Sequence, residues 1–348
     1  MKKAQAAEWC VVYLVCAGVL MMVVVPLLFF FTTAFSSVRD FENGMSRMLP
    51  NMNVGLKVTW VAEERAYRLE YQGKDGYKPA MTSGDMDDIR RYLLDILSVS
   101  MTEDAIAQKM EPAKTGNAPI EIVLKKDVLR NFVVFFKVTN KAEEAFVNSI
   151  VVVLLTILIS VTFGSLAGYA IARYKFMLKD QINIMLLVVR MFPMVGISIP
   201  LAGILIKLNL YDTMLGLAIL YALPNIALTS WITSSIFLGI GRELEEASLV
   251  FGANSIQTFL RITFPLAVPA IAASSMYAFL TAWNDTLSAL ILTSNHPTLA
   301  LSVYQSVGSN MTSFQYSAAG GVILVIPALV FTFIVRRYVS NMWGSVSL

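Results

Sequence analysis

Long apolar segments dominate the pattern of hydrophobic and polar positions along the chain. A helix needs about twenty apolar residues to cross the roughly 30 Å hydrocarbon core of a bilayer. Six segments match this length: 9–31, 147–171, 183–206, 214–237, 270–292 and 319–335. The pattern therefore predicts an all-α polytopic membrane protein with six transmembrane helices. Composition agrees, since 56% of the 348 residues are hydrophobic and only 15% are charged.

The region between the first two segments, residues 33–145, has a different pattern. It carries more than half of the charged residues, with both signs mixed. Residues 56–71 alternate between apolar and polar positions, which predicts a hairpin that turns near Glu63–Arg65. We expect a helix after it, capped by Ser83, with an apolar stripe formed by Ile89, Leu93, Leu94 and Leu97. Residues 120–124 and 132–138 are predicted as further strands or a helix. The region is therefore predicted to be a small α+β extracytoplasmic insertion between helices 1 and 2.

Basic residues in the short connections set the orientation. Cytoplasmic loops carry an excess of Lys and Arg. Nine basic residues near the predicted span ends fall on one side: Lys2, Lys3, Arg173, Lys175, Lys179, Arg242, Arg261, Arg336 and Arg337. On the opposite side, connection 207–213 carries one Lys against one Asp, and 293–318 carries no Lys or Arg. Both termini are therefore expected in the cytoplasm. This predicts four regions: the N-terminus with helix 1 (1–32), the insertion (33–145), a core with helices 2–6 (146–337) and a tail (338–348).

Several kinds of site are not indicated by the sequence. The mixed charges of residues 33–145 do not provide the basic face that nucleic-acid binding needs. No phosphate-binding Gly-x-x-x-x-Gly-Lys-Ser/Thr motif occurs, and the single histidine, His296, has no cluster of metal-binding residues nearby in the sequence. Cys10 and Cys16, about 9 Å apart along a helix, are too far apart to pair. We therefore expect no metal site, and no nucleic-acid partner.

A loop between the fourth and fifth apolar segments, residues 241–269, is predicted to form two short helices. The first has Leu244, Ala247 and Phe251 on one face and ends at Gly252. The second begins with a capping box, in which Asn254 is followed three residues later by Gln257. The loop is too acidic for a typical membrane-surface helix, so its apolar face is expected to bind a partner protein.

The loop resembles the EAA loop of bacterial ABC importer permeases. The resemblance rests on Glu246-Ala247, Gly252-Ala253, Phe259, Ile262, Pro265-Leu266 and Pro269. Between residues 146 and 337, further motifs are similar to carbohydrate permeases of the maltose and trehalose type: Asn148-Ser149, Ala167-Gly168-Tyr169-Ala170, Arg190-Met191-Phe192-Pro193, Ile199-Pro200 and Trp283-Asn284-Asp285. Two positions depart from the family pattern, with Ser248 in place of alanine and Phe251 in place of aspartate.

This resemblance implies a type I ABC importer permease-like fold and a function. The chain is then a non-enzymatic subunit in the inner membrane of a bacterial cell, importing a sugar or polyol such as maltose or trehalose. The implied partners are a dimer of ATP-binding subunits, a second homologous permease and an extracytoplasmic solute-binding protein. The chain itself binds no cofactor, and the ATP-binding subunits hold ATP and Mg²⁺. The implied ATPase-docking residues are Glu245, Glu246, Ala247, Phe251, Gly252, Phe259 and Pro265.

Polar residues and prolines inside the predicted spans are candidates for the translocation pathway. Ionisable groups in lipid are costly unless they face a cavity or a partner, although Arg190 is close enough to a span end to reach the interface. Prolines break helices at membrane depth, which requires protein or water alongside. Asn225 and Thr229, near Pro224, either bind a sugar hydroxyl or satisfy the carbonyls that the proline frees. The candidates are Arg190, Pro193, Asn225, Thr229, Trp283, Asn284 and Asp285.

Alternatives remain open at this point for the function and for one packing motif. The chain is also compatible with an ABC permease for a non-sugar solute, and less well with a secondary transporter or a membrane sensor. A secondary transporter is disfavoured because no internal repeat of broken helices and no chain of acids is visible. The small residues Gly164 and Gly168 allow close approach of another helix, either within this chain or in a second subunit.

Overall fold

The computed structural model describes residues 2–42, 51–73, 76–116, 118–308 and 314–344. Parts of the predicted insertion, including 43–50, and residues 345–348 of the predicted tail lie outside the described residues. The chain divides into two compact units: Met1–Val138 with Ser306–Val322, and Thr139–Gln305 with Ile323–Leu348. This division groups the start of the last helix with the N-terminal region, which the sequence pattern did not predict.

The first unit contains an antiparallel sheet with the strand order β3-β2-β1-β4. Its helices and strands are α1 (Lys2–Ala34), α2 (Val38–Glu42), β1 (Asn53–Val61), β2 (Ala66–Gly73), β3 (Gly76–Ser83), α3 (Met86–Asp95), α4 (Glu103–Thr115), β4 (Ile120–Lys125) and α5 (Arg130–Val138). The predicted hairpin is confirmed, because β1 pairs with β2 from Leu56 opposite Tyr71 to Val61 opposite Ala66. The α+β composition of this region follows directly from these elements.

One face of the sheet forms the core of the first unit. The alternating apolar residues of β1 and β2 point to this face, and α3 and α4 cover it. Its fully buried side chains include Leu56, Val58, Leu69, Ile89, Leu93, Leu97, Ile106 and Met110. The predicted cap of α3 was wrong by two residues. Ser83 ends β3, and the carboxylate of Asp85 instead accepts the hydrogen bond from the Asp87 N–H at 2.9 Å.

Residues after β4 are tied to the end of α1. The Asn131 side-chain amide donates to the carbonyls of Ala34 and Ser36, each at 2.8 Å. The ammonium group of Lys126 is buried and pairs with Asp40. Since unpaired buried charges and amides are costly, these contacts fix the two segments to each other. The insertion is therefore joined to the first helix by polar contacts as well as by the chain.

The second unit is helical. Its elements are α6 (Ala142–Arg173), α7 (Lys179–Met191), α8 (Met194–Lys207), α9 (Met214–Gly239), α10 (Arg242–Val250), α11 (Ser255–Thr258), a π-helix (Phe259–Thr263), α12 (Phe264–Leu266), α13 (Val268–Asn284) and α14 (Leu287–Leu292). Two further helices, α15 (Leu299–Gly308) and α16 (Phe314–Gly344), have residues in both units.

Four described helices are long and apolar enough to cross a membrane. They include Val11–Ala34, Ala142–Arg173, Met214–Gly239 and Phe314–Tyr338. Two further candidates are bent pairs of helices, Lys179–Met191 with Met194–Lys207 and Ser255–Leu266 with Val268–Asn284. The described residues thus give four spans, or up to six if each bent pair is one span. The predicted number of six depends on those two pairs.

Two predicted spans are interrupted by identifiable residues. The segment 183–206 bends by 96° between α7 and α8, where Phe192 is extended before Pro193. The segment 270–292 is interrupted at Asp285, which has extended backbone angles and accepts the backbone N–H of Ser288 at the start of α14. The break at Pro193 was expected from the proline, whereas the interruption at Asp285 was not predicted from the apolar pattern of 270–292.

Gly164 and Gly168 bring α6 and α9 into close contact. A Cβ atom at Gly164 would lie 2.5 Å from Cβ of Thr229, and one at Gly168 would lie 2.8 Å from the carbonyl oxygen of Ser230. The small residues on α6 therefore pack within this chain, which decides between the two alternatives that the sequence left open. Helices in lipid associate through such close packing because burial of apolar surface gives little driving force there.

We expect Gly168→Ala to destabilise the protein by about 1–3 kcal/mol, because the added methyl group has to displace α9. The matched control is Gly203→Ala on α8, where an added Cβ has nothing within 4 Å. Thermal unfolding of the purified protein in detergent should show a lower midpoint for Gly168→Ala only. Equal midpoints for the two variants would contradict this close packing.

Candidate functional site

Loop 241–269 folds into the two predicted short helices, separated by a turn at Gly252. Helix α10 ends at Val250, and Gly252 has a φ of +89°, which side chains disfavour. In α11, the Asn254 side chain accepts the Gln257 N–H at 2.8 Å, and the Gln257 side chain accepts the Asn254 N–H at 3.1 Å. The predicted turn and capping box are confirmed.

The two helices of the loop expose an apolar surface. Phe251 has 91% of its side-chain surface exposed, and Val250 has 85%. The surface is formed by Leu244, Leu249, Val250, Phe251, Ile256 and Leu260. Glu246 and Ala247 are also exposed. We call these eight residues the apolar loop face. Several large apolar side chains exposed together are typical of a surface that binds another protein.

A hydroxyl pair connects the two helices below this face. The Ser248 and Thr258 hydroxyl groups share a hydrogen bond of 2.5 Å. Thr258 is buried, and Ser248 is partly buried. The EAA-loop pattern has alanine at position 248, and alanine cannot make this bond. The departure at Ser248 therefore has an internal structural role, since it fixes the angle between α10 and α11.

Glu245 lies inside the chain rather than on the apolar loop face. Its Oε1 atom accepts hydrogen bonds from Arg173 Nε at 2.9 Å and from the Thr263 hydroxyl at 2.8 Å. Arg173 Nη2 lies 2.8 Å from the same oxygen, and Tyr169 donates to Oε2 at 3.4 Å. The predicted role of Glu245 in direct docking is not supported by this position, because its carboxylate is already bound. The sequence pattern identified Arg173 only as one of the basic residues near a span end. It lies three residues after the motif 167–170, and that proximity was the only sequence signal for its role.

Phe259 is also buried, within an aromatic cluster. Its ring centroid lies 4.8 Å from that of Tyr169, 6.2 Å from Phe237 and 5.8 Å from Phe264. Phe259 therefore holds the loop against α6 and α9 instead of offering a docking surface. Pro265 is exposed in the first turn of α12, which directly follows the π-helix. Single π-helical turns often occur at functional sites.

The predicted pathway residues fall into two groups by exposure. Arg190, Pro193 and Asn284 are exposed on this chain. The Arg190 guanidinium lies over the ring of Tyr277, 5.4 Å from its centroid. Every side chain of α7 is at least partly exposed. Because a charged group in a span needs a cavity or a partner, this surface is not suited to contact lipid alone.

The remaining pathway candidates are inside the second unit. Trp283 is buried and donates its indole N–H to the carbonyl of Leu324 at 2.9 Å. Asp285 accepts from the Tyr221 hydroxyl at 2.9 Å, so it joins α9 to the start of α14. These two residues hold helices together around the interruption of the predicted fifth span.

Asn225 and Thr229 are buried on α9. The Asn225 amide donates to the carbonyl of Tyr221 at 2.8 Å, beside Pro224. The carbonyl that Pro224 frees is that of Leu220, four residues earlier, so this bond decides neither of the two predicted roles. The Thr229 side chain packs where Gly164 lacks a Cβ. Both residues therefore contact the interior of the helix bundle.

Asn148 and Ser149 of the sequence pattern position the segment that precedes α15. The Asn148 amide donates to the carbonyl of Pro297 at 3.1 Å, and the Ser149 hydroxyl accepts the Leu299 N–H at 2.8 Å. Asp212 fixes the same segment by accepting the backbone N–H groups of Ser294 and Asn295. Burial raises the pKa of Asp212, but the hydrogen bonds outweigh it, and the pKa lies below its ordinary value.

Comparison with known proteins decides the family. Residues 144–343 match the family described as binding-protein-dependent transport system inner membrane component. The chain belongs to this family. The predicted resemblance to ABC importer permeases is thereby confirmed, and the permease family accounts for both loop 241–269 and the core helices.

Individual relatives of the permease family agree with this assignment. A trehalose transport system permease protein of Mycobacterium tuberculosis is 33% identical over 197 residues, which cover 56% of this chain and 72% of the relative. A trehalose/maltose transport system permease protein of Thermococcus litoralis is 30% identical over 196 residues, covering 55% of this chain and 70% of the relative. In the crystal structure of a bacterial ABC transporter that imports the acidic polysaccharide alginate, a chain of 18% identity has the same fold. The TM-score is 0.60, and the match covers 96% of this chain and 97% of that one.

We expect Gly252→Ala to loosen the permease loop by about 1 kcal/mol or more, because alanine is strained at a φ of +89°. Gly241→Ala is the control, since Gly241 has a φ of −57° and open space around it. Limited proteolysis of the purified protein should cleave loop 241–269 faster in Gly252→Ala than in Gly241→Ala. Equal cleavage rates would show that the turn does not require its positive φ.

Proposed function

We propose that this chain is the transmembrane permease subunit of an ABC importer for a sugar or polyol. The apolar loop face is the observation that carries the proposal, because a permease needs such a surface to receive an ATP-binding subunit. The names of the relatives support a carbohydrate such as trehalose or maltose as the solute. ATP and Mg²⁺ are bound by the partner ATPase, and this chain contributes the passage through the membrane.

In this proposal, loop 241–269 is the coupling loop. Glu246, Ala247 and Phe251 contact the ATPase, while Gly252 sets the turn between the two docking helices. Glu245, Phe259 and the π-helix before Pro265 hold the loop against the membrane helices from inside. The family pattern has an aspartate at position 251. In this chain the apolar ring of Phe251 would make the contact with the ATPase instead. Two ATP-binding subunits would serve this chain and a second homologous permease.

The second permease would cover the exposed surface of α7 and complete the pathway. Arg190, stacked on Tyr277, supplies a cation and an aromatic ring, and Asn284 supplies an amide, all on the exposed surface of this chain. Hydroxyl-rich solutes are recognised by such groups. The bend at Pro193 exposes backbone at membrane depth, which is tolerated beside a water-filled pathway. Asn225, Thr229, Trp283 and Asp285 support this wall from behind through their internal contacts.

The proposal places both termini and the coupling loop in the cytoplasm and residues 33–145 outside. The basic residues at the predicted span ends support this orientation. The sheet, α3 and α4 have the charged surface of a water-exposed fold. An extracytoplasmic solute-binding protein would deliver the sugar from that side.

Purification from native membranes tests the function. We expect an ATP-binding subunit and a second permease to copurify with this chain. In proteoliposomes, the complex with its binding protein should hydrolyse ATP faster when trehalose or maltose is added. Copurification without stimulation by any neutral sugar would favour a non-sugar solute. A chain that transports solute without an ATP-binding subunit would contradict the proposal.

Substitutions at Phe251 test docking. Phe251→Ala should weaken the association with the ATPase by roughly 2–3 kcal/mol, because the variant lacks the apolar ring that docking would bury. Phe251→Asp should weaken it more, since it buries a charge without a partner. The fraction of ATPase retained on the purified complex measures both effects, and low salt should not rescue Phe251→Ala.

Leu208→Ala is a suitable control for the Phe251 variants. It removes an exposed apolar side chain from the connection before α9, whereas loop 241–269 follows the other end of α9. ATPase retention should be unchanged. Full retention in Phe251→Asp would place the ring outside the docking surface.

Cysteine labelling tests the orientation. In a background with Cys10 and Cys16 replaced by serine, Glu64→Cys lies at the exposed hairpin turn of the insertion, and Ser255→Cys lies in the coupling loop. A membrane-impermeant maleimide should label Glu64→Cys in intact spheroplasts and Ser255→Cys only after permeabilisation. The reverse pattern would overturn the orientation and the docking role of the loop.

A further inference from the structure

The coupling loop is joined by the chain to α9 and α13, but its buried charge is held by α6. Glu245 lies on α10, and its partner Arg173 is the last residue of α6. The side chains of both residues are about nine-tenths buried, with 7% of the Arg173 side chain and 11% of the Glu245 side chain exposed. A contact that buries two charges is sensitive to position, because the attraction depends on close geometry. The pair therefore fixes the distance between α10 and the end of α6.

Arg173 contacts both sides of the junction between α9 and α10. Its Nε atom donates to Glu245, and its Nη2 atom donates to the carbonyl of Ile240, the residue that ends α9. In return, Arg242 donates to the carbonyl of Arg173 at 2.9 Å. The planar guanidinium group can hold several acceptors in a fixed geometry. Arg173 thus joins the end of α6 to the first turn of the coupling loop.

The other end of the loop has a less direct connection. Before α13 begins, the chain passes through the π-helix Phe259–Thr263 and bends by 74°. By contrast, α6 is in close contact with α9 along Gly164 and Gly168. A displacement of α10 that is passed to Arg173 consequently reaches two closely packed helices at once.

We propose that Arg173 is a positioning residue that transmits the movement of the docked ATPase from the coupling loop to the α6–α9 pair. This inference rests on the proposed function. When the ATP-binding subunits move, α10 moves with them, and the buried ion pair makes α6 follow. Thr263 assists by donating to the same carboxylate oxygen of Glu245, which keeps that oxygen oriented toward Arg173.

The test uses the complete complex in proteoliposomes, with Cys10 and Cys16 replaced by serine. A reporter, Val147→Cys, lies near the start of α6, where the native side chain is exposed. The rate at which a soluble maleimide labels it is measured without nucleotide and with ATP and vanadate. We expect a nucleotide-dependent change with the native Arg173, and a change at least about fivefold smaller in Arg173→Gln. ATPase retention and basal ATP hydrolysis should persist in Arg173→Gln, because the apolar loop face is unaltered.

Matched variants separate transmission from a general structural role. Lys175→Gln removes an exposed cation two residues from Arg173 and should keep the native response. Thr263→Val keeps both charges and should reduce the response to an intermediate level. The double variant Arg173→Glu with Glu245→Arg, which exchanges the two charges, should restore part of the labelling response. If Arg173→Gln does not insert, Arg173→Lys and Thr263→Val provide the test, and a native response in both would overturn the inference.

The outcomes distinguish this inference from the proposed function. Retained ATPase with an unchanged labelling response in Arg173→Gln would contradict the role of Arg173 alone. Absence of an ATP-binding subunit from the native complex would contradict the proposed function, and this inference with it. Loss of ATPase retention in Arg173→Gln at a normal protein level would assign the ion pair to docking and overturn its role in transmission.

Discussion

The close contact between α6 and α9 is the constraint on which the second unit depends. Backbones in lipid approach only where side chains are small, and Gly164 and Gly168 provide that space. The contact brings the C-terminal end of α6 close to that of α9. Tyr169 and Phe237 can then form one aromatic cluster with Phe259, and Arg173 can reach Ile240 and Glu245. The position of loop 241–269 thus originates in two glycines of α6.

Loop 241–269 combines an exposed apolar surface and a buried anchor in the same short helix, α10. The residues of α10 alternate between them with the helical period, so that Leu244 and Ala247 are exposed while Glu245 faces the interior. The two faces have opposite chemistry to that expected in water, since the apolar residues are outside and the carboxylate is inside. The buried carboxylate needs a cation to neutralise it, which Arg173 supplies, and the apolar face is of the kind that binds another protein.

The parts of the fold that depend on local chemistry were predictable from the sequence. The hairpin at Leu56–Tyr71, the turn at Gly252 and the capping box at Asn254 all follow from residues within a few positions of one another. The burial of Glu245 was not predictable, because its partner Arg173 lies 72 positions away. A glutamate in the first turn of an acidic helix has the same pattern whether it faces solvent or an arginine. The interruption at Pro193 was predictable from the proline itself. The one at Asp285 was hidden, since a count of apolar residues continues across one or two residues that break a helix.

The first unit contains a contact between segments that are synthesised far apart in time. Gly320 lies against the ring of Phe135, and Gly321 lies against that of Phe30, although most of the second unit, residues 139–305, is encoded between them. Chains emerge from the ribosome with the N-terminus first, and contacts of long sequence separation form late. The sheet of the insertion can fold early, because all of its strands lie between Asn53 and Lys125. The rings of Phe30 and Phe135 lack their glycine contacts until α16 has been made. Completion of the first unit therefore waits for the last helix and is a late step of biosynthesis.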